Sequence, residues 1–213
     1  MTAPAQQRLA RVFSRVTMLG PPMGEKLSEL VDHLFDADEA ELAAHLPLYR
    51  TKPIEEIARR AGQDVETIRP MLDGMADRAV IFEGRNGYSL LPLVPGMFEF
   101  LLMRGDVEEW YRRYARMFLD LFATGYVADY TGTRIPAVRP IPVGKAYRKR
   151  TNVVDEDLME EMLQAHEEFG VLNVCMCRQA NGLVGKPCKV ASPEDGCLTF
   201  GSFGRRSIEQ GRG

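Results

Sequence analysis

The placement of the cysteines constrains this chain more than any other feature of its sequence. All four lie in the carboxyl-terminal fifth of the 213 residues, as Cys175, Cys177, Cys188 and Cys197. Four cysteines scattered at random along the chain would rarely be so concentrated, and structural cysteines usually occur singly in apolar core patterns. The clustering therefore predicts that the four thiols share one metal site.

The spacing of the first two cysteines bears on the identity of the metal. Tetrahedral thiolate sites suit both zinc and iron–sulfur clusters. Zinc ribbons typically use paired Cys-x₂₋₄-Cys knuckles, whereas a single residue separates Cys175 from Cys177. In extended backbone such a pair places its sulfurs on one face about 6 to 7 Å apart, which suits thiolates on different iron atoms. We therefore expect an iron–sulfur cluster and keep zinc as the alternative.

The residues around the cysteines agree with an anionic cluster. Cationic side chains that can offset its charge adjoin the cysteines in sequence, and they are Arg178, Lys186 and Lys189. Glycines that let backbone N–H groups approach sulfur are Gly182, Gly185, Gly196 and Gly201. Hydrogen bonds to the sulfurs are a principal control on the cluster potential. Of these residues, we expect the three cationic ones and the last two glycines to bind the cofactor.

Three segments carry a family resemblance, namely Cys175-Met176-Cys177-Arg178-Gln179, Lys186-Pro187-Cys188 and Cys197-Leu198-Thr199-Phe200-Gly201. They resemble the Cys-x-Cys-Arg, Cys and Cys-Leu-x-Phe-Gly motifs of ferredoxin-related iron–sulfur proteins, largely from anaerobic metabolism, that begin with a winged-helix module. The resemblance implies that Cys175, Cys177, Cys188 and Cys197 ligate one 4Fe-4S cluster. It further implies an electron carrier or redox subunit with a protein redox partner, rather than a self-contained enzyme. Because family members commonly continue into a ferredoxin domain, we expect this chain to be a truncated or shortened relative.

The amino-terminal part has the order helix, glycine turn, helix and β-hairpin. Apolar periodicity and capping residues predict helices over residues 23–35, 38–46, 53–61 and 65–78. Asn86-Gly87 between two apolar runs is a strong hairpin signal. This order is typical of a winged helix-turn-helix. An earlier amphipathic helix is predicted to bury Leu9, Val12, Phe13 and Val16.

The charge of the winged-helix segment argues against DNA binding. Between Lys52 and Pro92 there are six basic and seven acidic residues, a net charge of −1. The candidate recognition helix itself carries Asp64, Glu66, Asp73 and Asp77. Because DNA affinity rests mainly on neutralising phosphates, we expect a structural or protein-docking module. DNA binding remains the less favoured alternative.

The middle of the chain is predicted to be helical and rich in aromatic residues. Asp106–Ala123 repeats apolar residues at helical spacing, from Val107 through Trp110, Tyr114 and Phe118. Such a stripe forms either the core or a subunit interface, so a homodimer through residues 106–123 is one expectation. A proline-rich run over residues 134–143, a basic cluster over 145–150 and a helix over 155–169 are expected to follow.

Composition excludes several classes of protein. With 45% hydrophobic residues, 27% charged residues and a net charge of −3, the chain is that of an ordinary globular protein. No apolar stretch approaches the roughly 20 residues of a membrane helix, and no signal-peptide core is visible, so we expect a cytoplasmic protein with reduced thiols. No phosphate loop, dinucleotide fingerprint or nucleophile elbow occurs. The isolated histidines are interpreted as surface or partly buried residues, and they are His33, His45 and His166.

Together these patterns predict a mainly α fold with a small β component. A winged helix-turn-helix is followed by a helical segment and a small cysteine-rich region, with domains over residues 1–92, 93–132 and 133–213. The leading function is electron transfer through a 4Fe-4S cluster. The alternatives are a redox-sensing winged-helix transcription regulator and a zinc-stapled interaction module.

Overall fold

The computed structural model describes residues 4–131, 160, 163–165, 167–171, 174–189, 198–209 and 211, with the backbone alone at residues 95, 131, 202 and 203. In this part of the chain the fold is mainly helical, with two small antiparallel β-ribbons, as the sequence predicted. No described helix has the length and apolar character needed to cross a bilayer.

The described elements follow one another in short segments. The helices are α1 (Pro4–Phe13), α2 (Glu25–Leu34), α3 (Ala37–Ala43), α4 (Ile54–Ala61), α5 (Val65–Asp77), α6 (Phe98–Leu102), α7 (Glu109–Phe122), α8 (Ala128–Thr131), α9 (Met176–Leu183) and α10 (Ser202–Glu209). The strands are β1 (Phe82–Gly84), β2 (Gly87–Ser89), β3 (Phe169–Val171) and β4 (Leu198–Phe200). A π-helical turn over Leu93–Met97 leads into α6.

The first three helices form one side of the main core. Leu9 and Phe13 of α1 are fully buried against α2 and α3. Helix α3 begins with a capping box, in which the carboxylate of Asp36 accepts from Glu39 N and Glu39 accepts from Asp36 N. The prediction that Val16 continues the buried face of α1 is wrong: Val16 is 75% exposed, because α1 ends at Phe13 and the chain enters a 3-10 turn.

Helices α4 and α5 and the β1–β2 hairpin follow one another in the order predicted for a winged helix-turn-helix. Gly62 ends α4 in the left-handed conformation, at φ 66°, which a residue without Cβ adopts at little cost. In the hairpin, Gly84 pairs with Gly87, so Arg85 and Asn86 form the two-residue turn. A Cβ at Gly87 would overlap the carbonyl oxygen of Lys52, which explains the glycine at this position. The segment before α4 joins the hairpin through bridges from Leu48 to Leu90 and from Lys52 to Tyr88.

The aromatic stripe predicted over residues 106–123 packs largely inside this chain. Tyr114 and Phe118 of α7 are buried, and the ring of Phe98 on α6 lies 4.8 Å from that of Phe118. Trp110 stacks on His33 of α2 at a centroid distance of 4.6 Å. Val107 was expected in the stripe, but it precedes α7 and is 56% exposed. The core interpretation therefore accounts for most of the stripe, and pairing with a second copy stays a prediction.

The carboxyl-terminal region is a small unit in which α10 packs on the β3–β4 ribbon. A Cβ on Gly204 would lie 2.8 Å from Phe169 Cα and 2.8 Å from Thr199 O, so only glycine allows this close approach. The helix predicted over 155–169 was expected to include Phe169, but this residue starts β3 and is 41% exposed. The proline-rich run, the basic cluster and most of the helix predicted before Phe169 lie outside the described residues.

Candidate metal centre

The first two cysteines lie at the amino-terminal end of α9. Cys175 occupies the N-cap position with extended backbone, and Cys177 lies in the first helical turn. The first backbone N–H groups of a helix have no acceptor within the helix, and the helix dipole places partial positive charge at this end. The main chain therefore directs hydrogen-bond donors toward the region where these two thiols lie.

Helix α9 forms because its sequence carries helix-forming residues and an apolar stripe. Met176, Ala180 and Leu183 follow one another at i, i+4 and i+7, and the last two are buried. This stripe packs on α6 and α7. Two side chains hold the helix in place, since Gln179 Nε2 donates to Asp106 O at 2.8 Å and Arg112 Nη1 donates to Leu183 O at 3.4 Å. The position of Cys175 and Cys177 is thus fixed by the main core.

The Cys-x-Cys prediction of extended backbone is wrong. Only Cys175 is extended, with φ −77° and ψ 122°, and Cys177 is helical. The spacing of this pair therefore does not favour two iron atoms over one zinc ion.

The other described residues that were predicted to bind the metal or its cofactor follow Cys177 in the sequence. Cys188 is exposed, and Lys186 and Lys189 on either side of it are exposed as well. Arg178 is half-buried in the first turn of α9, next to Cys177. None of the three described cysteines forms a disulfide.

Of the two glycines predicted to bind the cofactor, the structure describes Gly201 but not Gly196. Gly201 lies in the turn between β4 and α10 at φ 61°, and its N–H donates to Glu168 O at 2.7 Å. That bond shows Gly201 closing the β3–β4–α10 unit. Gly196 and the fourth predicted ligand, Cys197, lie outside the described residues.

The donor set fits a thiolate-bound cluster in its chemistry. It combines thiols with a helix amino terminus and with three cationic residues that adjoin cysteines in the sequence, Arg178, Lys186 and Lys189. Among the residues that the structure describes, no three His, Cys, Asp or Glu side chains are gathered closely enough to hold a metal ion. Cys175, Cys177 and Cys188 are all described, so the structure does not bring these three thiols together, and the fourth predicted ligand, Cys197, lies outside the described residues.

An ion-pair network joins the carboxyl-terminal unit to the hairpin, and we call it the wing contact. Arg85 Nη2 at the hairpin turn lies 2.5 Å from Glu168 Oε1, and Arg205 Nε lies 3.6 Å from the same oxygen. Arg206 Nη2 lies 2.5 Å from Glu83 Oε2 on β1 and 3.6 Å from Asp77 Oδ1 at the end of α5. The carboxyl-terminal unit is therefore docked on the β1–β2 hairpin.

Sequence reasoning missed the wing contact and the glycine packing beneath it. Charged residues such as Glu83 and Arg206 look like any solvated surface charge in the sequence. Gly204 did carry a signal, because an isolated glycine within a helical segment often marks a close approach of another backbone.

Comparison of the chain with protein-family models, with curated proteins and with solved structures found no match.

Proposed function

We propose that this protein binds one 4Fe-4S cluster through Cys175, Cys177, Cys188 and Cys197 and transfers electrons to or from a protein partner. The observation that carries the proposal is the position of Cys175 and Cys177 at the amino terminus of α9, a helix anchored to the main core. A bound cluster of this kind accepts and donates single electrons at a potential set by nearby charge, hydrogen bonds and solvent exposure.

The residues of this chain support that chemistry in three ways. Backbone N–H groups at the start of α9 can donate to sulfur, and Arg178 can offset negative charge beside Cys177. Anchoring of α9 by Gln179 and Arg112 fixes the ligand backbone before and after a change of charge. Exposure of Cys177 and Cys188 supports a centre near the surface, where a partner protein can approach it.

The proposal is tested by analysing protein isolated without oxygen. Iron and acid-labile sulfide are expected at about four each per chain, the stoichiometry of one 4Fe-4S cluster. Reduction should produce a paramagnetic signal. Cys177→Ala should lose the iron, while Met176→Leu, a change between the two cysteines, should retain it. Stoichiometric zinc without iron or sulfide, or full iron content in the Cys177→Ala variant, contradicts the proposal.

A redox-sensing regulator is the second candidate, and the wing contact is the observation that favours it. The carboxyl-terminal unit holds the hairpin through Glu168, before the cysteines, and Arg206, after them, so a change at the proposed metal centre could reach the wing through this unit. The charge of α5 weighs against DNA binding, since its exposed residues include Glu66, Asp73 and Asp77. A salt-dependent mobility-shift assay of holo- and apoprotein separates the two candidates, because an electron carrier binds DNA in neither form.

A further inference from the structure

A groove lies between α1, α4 and the loop after α3, and none of the residues that line it has a role in the proposed electron transfer. Its volume is about 420 Å³, within the range of small-molecule sites. Apolar lining comes from Val12, Leu46 and Leu48, and cationic or potentially cationic lining comes from Arg15, His45 and Arg60. We call it the arginine groove.

The charge of the arginine groove is opposite to that of the protein. The chain has a net charge of −3, yet no aspartate or glutamate lines this cavity. Among the described residues neither Arg15 nor Arg60 pairs with a carboxylate, whereas Arg8 nearby pairs with Glu41. Concave surfaces of one charge focus the electrostatic potential and raise the local concentration of an oppositely charged ligand.

His45 contributes a third nitrogen group at the edge of the groove. Its Nε2 lies 3.8 Å from Glu41 Oε1, and Glu41 is the carboxylate paired with Arg8. Glu41, the acidic neighbour of His45, is therefore already compensated by Arg8, which does not line the groove. An anion between Arg15 and Arg60 would meet attraction that this carboxylate does not cancel.

The loop that forms one wall of the groove is held in a defined shape. Leu90 N donates to Pro47 O at 2.8 Å, and Tyr49 N donates to Leu90 O at 3.2 Å. Tyr49 has a φ of 66°, a left-handed conformation that a bulky side chain rarely adopts, and its hydroxyl donates to Thr17 O. Backbone strain of this kind persists only where surrounding contacts hold it, and here the hydrogen bonds of Tyr49 hold the wall beside Leu48.

We propose that the arginine groove binds a small amphiphilic anion, a carboxylate or phosphate monoester on a short aliphatic chain. Arg15 and Arg60 would hold the anionic head, because the guanidinium fork matches carboxylate and phosphate oxygens. The aliphatic chain would lie on Val12, Leu46 and Leu48. An apolar, concave floor fits such a ligand better than it fits the convex backbone of a nucleic acid.

The test uses the holoprotein and three probes of equal chain length in calorimetric titrations. Octanoate and octyl phosphate carry the two anionic heads, and octanol is the neutral control. We expect both anions to bind and octanol to bind at least about tenfold more weakly, because it cannot form the charge-assisted hydrogen bonds. The relative affinity of the two anions identifies the head group.

Variants locate the binding and keep it separate from the metal centre. The double change Arg15→Gln and Arg60→Gln should weaken octanoate at least about tenfold. The single change Arg59→Gln removes an exposed charge that does not line the groove and should leave the affinity within about twofold. Iron content should stay unchanged in every variant, so failure here does not depend on the cluster.

Four results overturn the proposal. These are no binding of either anion, octanol binding as tightly as octanoate, an equal loss in the Arg59→Gln control, and tight binding of duplex DNA that competes with octanoate. The last result would assign the arginines to a nucleic-acid surface instead of a small-molecule site.

Discussion

The main core, which residues 4–126 form, and the carboxyl-terminal region are stabilised in different ways. Residues 4–126 bury a continuous apolar core with fully buried side chains such as Phe13, Leu72 and Phe98. In the described part of residues 167–211, by contrast, the buried apolar side chains are Ala180 and Leu183, both on the face that α9 packs against the core. Among the described residues of β3, β4 and α10, glycine contacts join the helix to the ribbon and ion pairs join both to the hairpin.

The difference teaches where a metal centre would matter for stability. In a region with little buried apolar surface, a group that binds only the folded form contributes a larger share of the stability. The proposed cluster would bind in that region, next to a docked helix and an ion-paired ribbon. We therefore expect the two regions to respond separately to mutation, and the following experiments test that separation.

The largest expected effect comes from the apolar core. Leu72 of α5 is fully buried, so Leu72→Ala should lower the free energy of unfolding by about 2–5 kcal/mol, through lost transfer energy and a residual cavity. The matched change Leu183→Ala should mainly increase hydrogen exchange in α9 and lower iron content. Chemical denaturation and exchange mass spectrometry measure both. Equal loss of protection throughout the chain in the Leu183 variant would mean that the two regions unfold as one.

A smaller effect is expected where α10 meets the ribbon. Gly204→Ala places a Cβ 2.8 Å from the backbone of Phe169, so α10 must move away at a cost of about 1–3 kcal/mol. The gain of about 1 kcal/mol in helix propensity does not offset this. Gly182→Ala on α9 is the control, since nothing lies within 4 Å of its added Cβ. Faster exchange over residues 198–209 in the Gly204 variant alone is the expected result, and equal behaviour of both variants contradicts it.

The wing contact should contribute less than either of these. Arg206→Gln removes the ion pairs that this side chain forms with Glu83 and Asp77. Partly exposed ion pairs are worth at most about 1 kcal/mol. The change should increase exchange in β1 and α10, and added salt should reproduce part of it in the unmodified protein. Arg116→Gln breaks the exposed pair with Glu109 and should leave β1 and α10 unaffected. Loss of exchange protection only outside β1 and α10 would argue against the contact.

The smallest expected effect is a pH dependence of the free energy of unfolding, and it arises from His33 in the main core. Burial lowers the pKa of His33 from its ordinary value of 6.5, and the charge of Arg113 lowers it further, although the hydrogen bond from Nε2 to Trp110 O at 3.0 Å opposes the shift. The unfolded chain therefore binds this proton more readily than the folded protein does. The contribution of neutral His33 to the free energy of unfolding should be fully present above pH 6.5 and should decrease as the pH falls below it.

Fluorescence reports this transition directly, since Trp110 is the single tryptophan and stacks on His33. His33→Gln should flatten the pH dependence of unfolding below pH 6.5 and leave exchange in the carboxyl-terminal unit as it was. An unchanged pH profile in that variant would show that another group is responsible.

Much of the winged-helix region could be predicted from the sequence because its signals are local. Gly62 at the end of α4 and the Gly84–Gly87 turn act within a few residues, and Leu27, Leu30 and Leu34 repeat at helical spacing. Prediction failed where an element ended early, as at Val16 beyond α1.

At the candidate metal centre the sequence predicted the wrong backbone conformation. The interpretation of Cys175 and Cys177 as an extended pair overlooked the stripe of Met176, Ala180 and Leu183, which indicates a helix that starts between the two cysteines. The set of four ligands and the identity of the metal stay predictions, with Cys197 outside the described residues.

By itself the sequence determined the helical periodicity, the glycine turns and the concentration of thiols at one end of the chain, because each is written in the residue types and their spacing. Only the tertiary structure decided that α9 is anchored to α6 and α7, that Arg206 meets Glu83, and that Arg15 and Arg60 line one groove. Such contacts join residues far apart in the chain, and their energy depends on how whole elements pack rather than on any local preference.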